Sequence, residues 1–414
     1  MSTPAALYRN AVDLNRFSNG VARRIALAYN DLILEAVAQL RELDEIAPTE
    51  VLEPRLRRGS SVAASARSAR LSVILRQLKE SLEGWAGSST AIAIEELQGL
   101  TVLQSEFVTE ELRRALPIEL RDQIRSVQIS PQFAQSVATV DPTAINVVSL
   151  SDDLQAAVTG APQTFSLTAA QGTTITLPNG KVLEKSFRGL AESQADLFAK
   201  TVRNGLLIGE STDKIARRLK GRLRFGQRGS VRQMAQAGGE STSMANRQVM
   251  ALVRTSVNQV ANEASQQVYE ANQDVTPRYQ YVSTLDSKTS PICRALDGRE
   301  FEYGKGPKPP QHFNCRSTTV PVIDYKALGF TPPAPGKRAA QGGMVPANQS
   351  YGQWLNSQSK ETKADILGPE KVSYFNRLAR KYGPTDAIRK FVSEDGSELT
   401  LAQLKRRYPN GTSS

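Results

Sequence analysis

Cys293, His312 and Cys315 are the residues best equipped for chemistry, because the chain has only two cysteines and one histidine and all three fall in one short stretch. Thiolate sulfur and imidazole nitrogen are favoured ligands of a structural zinc. A thiol near an imidazole is also the pattern of an activated nucleophile. A third reading has them packing and hydrogen-bonding in a knuckle without metal. Other chemistry finds no support. There is no Gly-Lys-Thr phosphate loop, and no Gly-x-Gly-x-x-Gly follows an expected strand.

A second constellation is electrostatic. Lys214, Arg217, Arg218, Lys220, Arg222, Arg224, Arg228 and Arg232 succeed one another with no acidic residue between them. Like charges this crowded repel unless a polyanion relieves them, so the segment is a candidate contact for duplex DNA phosphates. Without a base-reading motif, such binding is non-specific. A solvated face and a dock for an acidic protein surface are the competing readings.

The framework around these residues is expected to be mostly helical. Leu7, Leu14, Phe17, Val21, Ile25, Ala28 and Leu32 mark one long helix over residues 5–45, by their spacings of three, four and seven. Pro48 and Pro54 interrupt it, and Arg55–Gly59 reads as a basic connector. Two further helices are expected at 65–85 and 91–116. Thr174–Leu177 and Lys181–Leu183 flank Asn179-Gly180, which predicts a β-hairpin. Helices resume at 189–204 and 212–219, with Ser211 or Thr212 as N-cap. Gly238-Gly239 reads as a flexible joint. Val249, Leu252, Val253, Val257, Val260, Ala261, Ala264 and Val268 stripe a helix over 246–272, and Tyr279–Thr284 reads as a strand. A Pro/Gly/Ala-rich linker spans 331–347, and helices fill 351–408.

The chain has 414 residues, 40% apolar and 22% charged, with a net charge of +11. That mix excludes a wholly disordered chain and suits two or three domains. The scarcity of cysteine excludes a disulfide scaffold and fits a reducing compartment. Met1–Ala5 does not open a signal peptide, and no run reaches the ~20 apolar residues that span a bilayer. The expected location is therefore the cytoplasm, or a particle assembled there.

Several ordered blocks point one way. Arg254-Thr255-Ser256-Val257-Asn258 lies on a helix, followed by Ser283–Cys293 containing Asp286, by Leu296-Asp297-Gly298, and by His312-Phe313-Asn314-Cys315-Arg316. Downstream stand Ser350–Leu355 with Trp354, Leu367-Gly368-Pro369 and Leu399–Leu404. Over about residues 246–408 this resembles the Mu F-like family of phage head morphogenesis proteins. That family typically shows an arginine-threonine helix, an aspartate before Cys-x-x-Cys, a Leu-Asp-Gly turn and His-x-x-Cys-Arg. The resemblance gives Arg254, Asp286, Asp297, Gly298, Arg316 and Trp354 structural roles, with Arg316 pairing with Asp286 or Asp297. His-x-x-Cys-Arg also fits a knuckle better than a catalytic pair. The pattern departs from the family at one position. Ser290 occupies the place of the first cysteine, so a zinc held by Cys293, His312 and Cys315 lacks a good fourth ligand. Asp286 is the substitute, or the metal is gone.

The sequence thus predicts a mainly α protein with a small α+β C-terminal domain, a long-helical N-terminal region with a β-hairpin insertion, and a short sheet around a Cys/His knuckle. The expected divisions are 1–125, 126–240, 246–325, a linker at 326–350 and a helical tail at 351–414. The resemblance implies a non-enzymatic minor head protein of a tailed phage, sited in the virion near the portal vertex. Its implied partners are the portal protein, scaffold or major capsid protein, and non-specific double-stranded DNA, with no membrane partner and no required cofactor beyond that candidate zinc. The rival readings are a delivered nucleic-acid-processing enzyme or toxin, and a structural head–tail adaptor.

Overall fold

The computed structural model describes residues 3–44, 57–127, 182–226, 229–393 and 396–409. Among the described residues six α-helices come first: α1 (Thr3–Arg41), α2 (Arg57–Ala115), α3 (Leu183–Leu207), α4 (Thr212–Lys220), α5 (Val231–Ala237) and α6 (Glu240–Ala271). There follow β1 (Arg278–Val282), α7 (Pro291–Leu296), β2 (Glu300–Glu302), β3 (Thr318–Val322), β4 (Lys337–Ala340) and β5 (Gly343–Pro346). Helices α8 (Tyr351–Asn356), α9 (Lys360–Leu367), α10 (Pro369–Tyr382), α11 (Pro384–Arg389) and α12 (Leu401–Arg407) complete the described chain. The protein is thus mainly α with a small α+β portion.

The chain forms two compact units, interleaved in sequence. One takes 17–96 and 181–254. It is a helical core in which Val21, Ile25, Tyr29 and Ile33 of α1 are buried with Trp85, Phe187, Phe198 and Val249. Trp85 meets Tyr29 and Phe187 edge-on at 5.2 and 6.0 Å between ring centroids, and its indole N–H donates to the Ile25 carbonyl. Two enclosed asparagines satisfy each other, as burial favours. Asn30 and Asn246 exchange two amide hydrogen bonds at 3.2 and 3.1 Å.

The other unit takes 1–16, 97–180 and 255–414. Its sheet is antiparallel in the order β2-β1-β3, with Val282 opposite Thr318 and Gln280 opposite Glu300. Helices α8 to α12 bury Trp354, Leu355, Tyr374, Phe375, Leu378 and Phe391 in a core shared with Tyr281, Leu285, Cys293, Leu296 and Cys315.

Four expectations change. The helices expected at 65–85 and 91–116 are one, α2, running through Gly87-Ser88-Ser89. A helical glycine costs only about 1 kcal/mol, and buried Trp85, Ala86, Ser89 and Ala93 flank it. Along α1, Ala28 is exposed while Ala26, Tyr29 and Asn30 are buried. A strict seven-residue step drifts about 20° per heptad and leaves the buried face. The expected joint Gly238-Gly239 is a place of close backbone approach, where a Cβ on Gly239 would fall 2.1 Å from the Arg218 carbonyl oxygen. The expected linker at 331–347 holds an antiparallel ribbon, β4 with β5.

Residues 174–181 of the expected hairpin lie outside the described residues, and Leu183 opens α3 instead. Of the connector Arg55–Gly59, residues from Arg57 on belong to α2. Among the described residues no helix is long and apolar enough to cross a membrane.

Candidate metal knuckle and cationic segment

The knuckle begins with a helix cap. Ser290 is the N-cap of α7, Pro291 follows at its first position, and the Ser290 hydroxyl accepts from the Cys293 backbone N–H at 3.4 Å. Serine favours this position because its oxygen satisfies an otherwise unpaired amide. The cap turns the Cys293 side chain into the core, 1% exposed.

The second arm is the loop 312–317, tied to α6. The Asn314 backbone N–H donates to the Thr255 hydroxyl at 3.0 Å, and the Asn258 amide donates to the Ser317 carbonyl at 2.9 Å. Asn314 sits at φ 61°, in the left-handed region that asparagine tolerates better than most residues. The loop brings Cys315 and His312 beside Cys293. The Sγ atoms of Cys293 and Cys315 are 3.8 Å apart, and Cys293 Sγ lies 3.4 Å from His312 Nε2. With Zn–S of ~2.3 Å and Zn–N of ~2.0–2.1 Å, tetrahedral edges come to roughly 3.8 Å for S–S and 3.5 Å for S–N. The donor set therefore fits three corners of a zinc site. His312 Nδ1 faces the Phe313 carbonyl at 2.8 Å, which directs Nε2 inward, as outer hydrogen bonds do for metal-binding imidazoles.

Ser290 completes the group, its Oγ 2.8 Å from His312 Nε2. A hydroxyl is a weak zinc ligand beside thiolates. Asp286, the expected substitute, is outside the group that the ligand atoms of Cys293, His312 and Cys315 form within 4.8 Å of one another. Its carboxylate instead receives both Arg316 guanidinium nitrogens, at 2.5 and 2.9 Å, with the Lys288 N–H and the Thr289 hydroxyl. Arg316 therefore pairs with Asp286 and not with Asp297. Burial opposes the Asp286 charge, but Arg316 and the other donors outweigh it and hold the carboxyl below its ordinary value.

Burial is the largest single influence on each cysteine, but it decides only one of them. It pushes the Cys293 thiol well up, and the neighbouring Cys315 adds to that. In Cys315 the same penalty is overcome by hydrogen bonds with Cys293 and His312 and by the His312 charge, so its thiol falls well below the ordinary value. His312 answers in kind. Burial disfavours its charge, yet Cys315 and the Phe313 carbonyl raise it.

Asp297 and Gly298 form a turn between α7 and β2. Gly298, at φ 75°, donates its N–H to the Tyr281 carbonyl. The Asp297 carboxylate accepts from the backbone N–H groups of Ser283 and Tyr351 and from Arg338. Arg338 was hidden in the apparent linker, where nothing in the sequence marks it as a buried partner. Trp354 packs edge-on to Tyr351. In the helical unit, Arg254 donates to the Asn19 side chain.

The cationic segment, also in the helical unit, is less uniform than its sequence. Ser211 caps α4 as expected. Arg218 bridges Glu210 and Glu240 at 2.8 and 3.1 Å, and Lys214 pairs with Glu210 at 3.0 Å. These carboxylates lie outside the run and neutralise part of it. Lys220 donates to the Leu223 carbonyl. Arg217, Arg222, Arg224 and Arg232 are exposed, and Arg228 lies outside the described residues. Sequence reading missed Arg41, which ends α1 and pairs with Asp213 beside the segment. Its charge acts on Lys220, whose ammonium is lowered first by burial and then by Arg41 and Arg224.

Residues 196–320, from α3 to β3, match the family described as phage Mu protein F like protein. The chain therefore contains a Mu F-like segment that takes in the cationic segment, α6, the Asp297 turn and the whole knuckle. The match begins upstream of the blocks that carried the resemblance and ends before Trp354 and the C-terminal helices. Neither the curated proteins nor the solved structures gave a match to the chain.

Proposed function

We propose that this protein, Mu F-like over residues 196–320, is a minor head protein of a tailed bacteriophage that binds the portal and contacts double-stranded DNA. The observation that carries the reading is the coincidence of the family match with one continuous frame. Thr255 and Asn258 of α6 hold the knuckle loop, and Asp297 locks the turn beside it. The proposed place is the virion, near the portal vertex, with assembly in the host cytoplasm.

Portal binding is assigned to the N-terminal helices α1 and α2, whose length offers an extended side-chain surface. Scaffold or major capsid protein are the further candidate partners. DNA contact is assigned to Arg217, Arg222, Arg224 and Arg232, which are exposed, whereas Arg218 is held by two carboxylates. Phosphate contacts of this kind position DNA without reading its bases.

Cys293, His312 and Cys315 would hold a zinc, with the Ser290 hydroxyl at the fourth corner. Bound there, the metal would cross-link α7 to the 312–317 loop and add folding energy. The proposed role asks no catalytic step of this chain.

Co-expression with the portal of the same phage tests the function. The expected outcome is recovery of the full-length chain on the portal ring. Wild-type virions that lack the protein, together with no capture by the portal, would sink the proposal.

A further inference from the structure

We propose that the loop after α4 is a contact for unpaired DNA bases, in which Phe225 stacks on a base while Arg222 and Arg224 hold the flanking phosphates. The inference rests on the DNA-binding reading above and adds to it a preference for single strands.

The loop is firmly based. The Arg222 N–H donates to the Ala237 carbonyl at 2.7 Å, and the Lys220 ammonium donates to the Leu223 carbonyl at 2.9 Å. Gly221 sits at φ 62°, and a Cβ there would come 2.4 Å from the Ala237 carbonyl oxygen, so only glycine allows the two backbones to approach. From this base Leu223 turns into the core at 1% exposure, while Phe225 stands 62% exposed. Arg222 and Arg224 are exposed with it.

An exposed aromatic ring flanked in sequence by exposed arginines is the combination that binds single strands, where cations follow the backbone and rings stack on bases. Phenylalanine has no donor or acceptor to read a base edge. Its face becomes useful only where a base has left the helical stack. Burial and the charges of Arg41 and Arg224 depress the Lys220 ammonium, so cations already crowd this spot and an anion there relieves them. A membrane surface is disfavoured, since insertion needs a broad apolar face and the neighbouring leucine is turned inward.

The test uses the full-length protein with a labelled oligothymidylate and a blunt-ended duplex at low salt. Phe225→Ala is expected to weaken single-strand binding about tenfold and to leave duplex binding unchanged. Phe225→Trp should keep single-strand affinity and show quenched emission on binding, against the buried Trp85 and Trp354. The double variant Arg222→Ser, Arg224→Ser should weaken both DNAs. If Phe225→Ala changes neither affinity while the arginine variant weakens both, stacking is wrong and the DNA reading stands. Equal loss for both DNAs also overturns the stacking. Binding of anionic phospholipid vesicles that depends on Phe225, with single-strand binding unaffected, would assign the loop to a membrane surface instead. If the wild type binds neither DNA, both readings fall.

Discussion

Arg338 on β4 and Asp297 after α7 form an enclosed ion pair at 3.2 Å, their side chains 5% and 0% exposed. Arg338 also donates to the Ser283 and Gln349 carbonyls. One guanidinium thereby ties the ribbon to the end of β1 and to the turn beside the knuckle. Removing one member of a buried pair strands the other charge and costs about 3–5 kcal/mol. Arg338→Ala should lower stability by that order in denaturant unfolding. A loss under about 1 kcal/mol, within the usual range for a surface pair, would show that Asp297 is solvated well enough without it.

The knuckle predicts weak metal retention that one atom can change. Wild-type protein purified with zinc should hold less than one ion per chain after mild chelation, because the fourth corner is a hydroxyl. Ser290→Cys supplies a third thiolate, and a Cys3His set should retain zinc stoichiometrically. Elemental analysis before and after chelation checks both. Stoichiometric, chelator-resistant zinc in the wild type would refute the first expectation.

The Asp286–Arg316 pair predicts an acid limb in stability. Asp286 is held below its ordinary 3.8 in the folded chain. The unfolded chain therefore takes up the proton first as the pH falls. The stabilisation is fully present above the unfolded value and is lost as the pH drops through the lower folded one. Asp286→Asn should cost about 1.5–3 kcal/mol at neutral pH, the scale of hydrogen bonds to charged groups, and should flatten this limb. Melting curves from pH 7 down to about 3 would show it. Parallel curves for the two proteins would remove Asp286 from the account.

The cationic segment predicts a division of labour. Replacing Arg217, Arg222, Arg224 or Arg232 singly with serine should flatten the log–log salt dependence of duplex binding by about 0.9. Arg218→Ser should leave that slope alone and lower stability, because Glu210 and Glu240 lose their shared partner. Unchanged slopes in all four variants, with portal capture reduced, would make the segment a protein dock. Unchanged slopes and unchanged capture would make it a solvated face.

Much of the fold is written locally and was legible. The apolar stripe of α6 needs only its own residues, and its eight expected core positions are all buried. The Ser211 cap of α4 is likewise a short-range matter. The ribbon was not legible, since Gly342 and Gly343 at its turn, with prolines nearby, read as a linker. Its pairing depends on a partner strand and on Arg338 reaching Asp297. Phe225 gave no signal either, because a lone phenylalanine is as often buried as exposed until its loop has a place.

The inventory belongs to the sequence: two thiols, one imidazole, a run of cations, a net charge of +11 and ordered Mu F-like blocks. These are properties of residue types and spacings, and they survive without coordinates. The partners belong to the folded chain. Folding gives Asp286 to Arg316, Asp297 to Arg338, and the Ser290 hydroxyl to His312. It also sets Arg218, held by Glu210 and Glu240, apart from the exposed Arg217, Arg222, Arg224 and Arg232. The physical reason is range. Helix periodicity and capping act over a few residues, whereas hydrogen bonds, ion pairs and metal geometry depend on ångström distances between groups that are far apart in sequence.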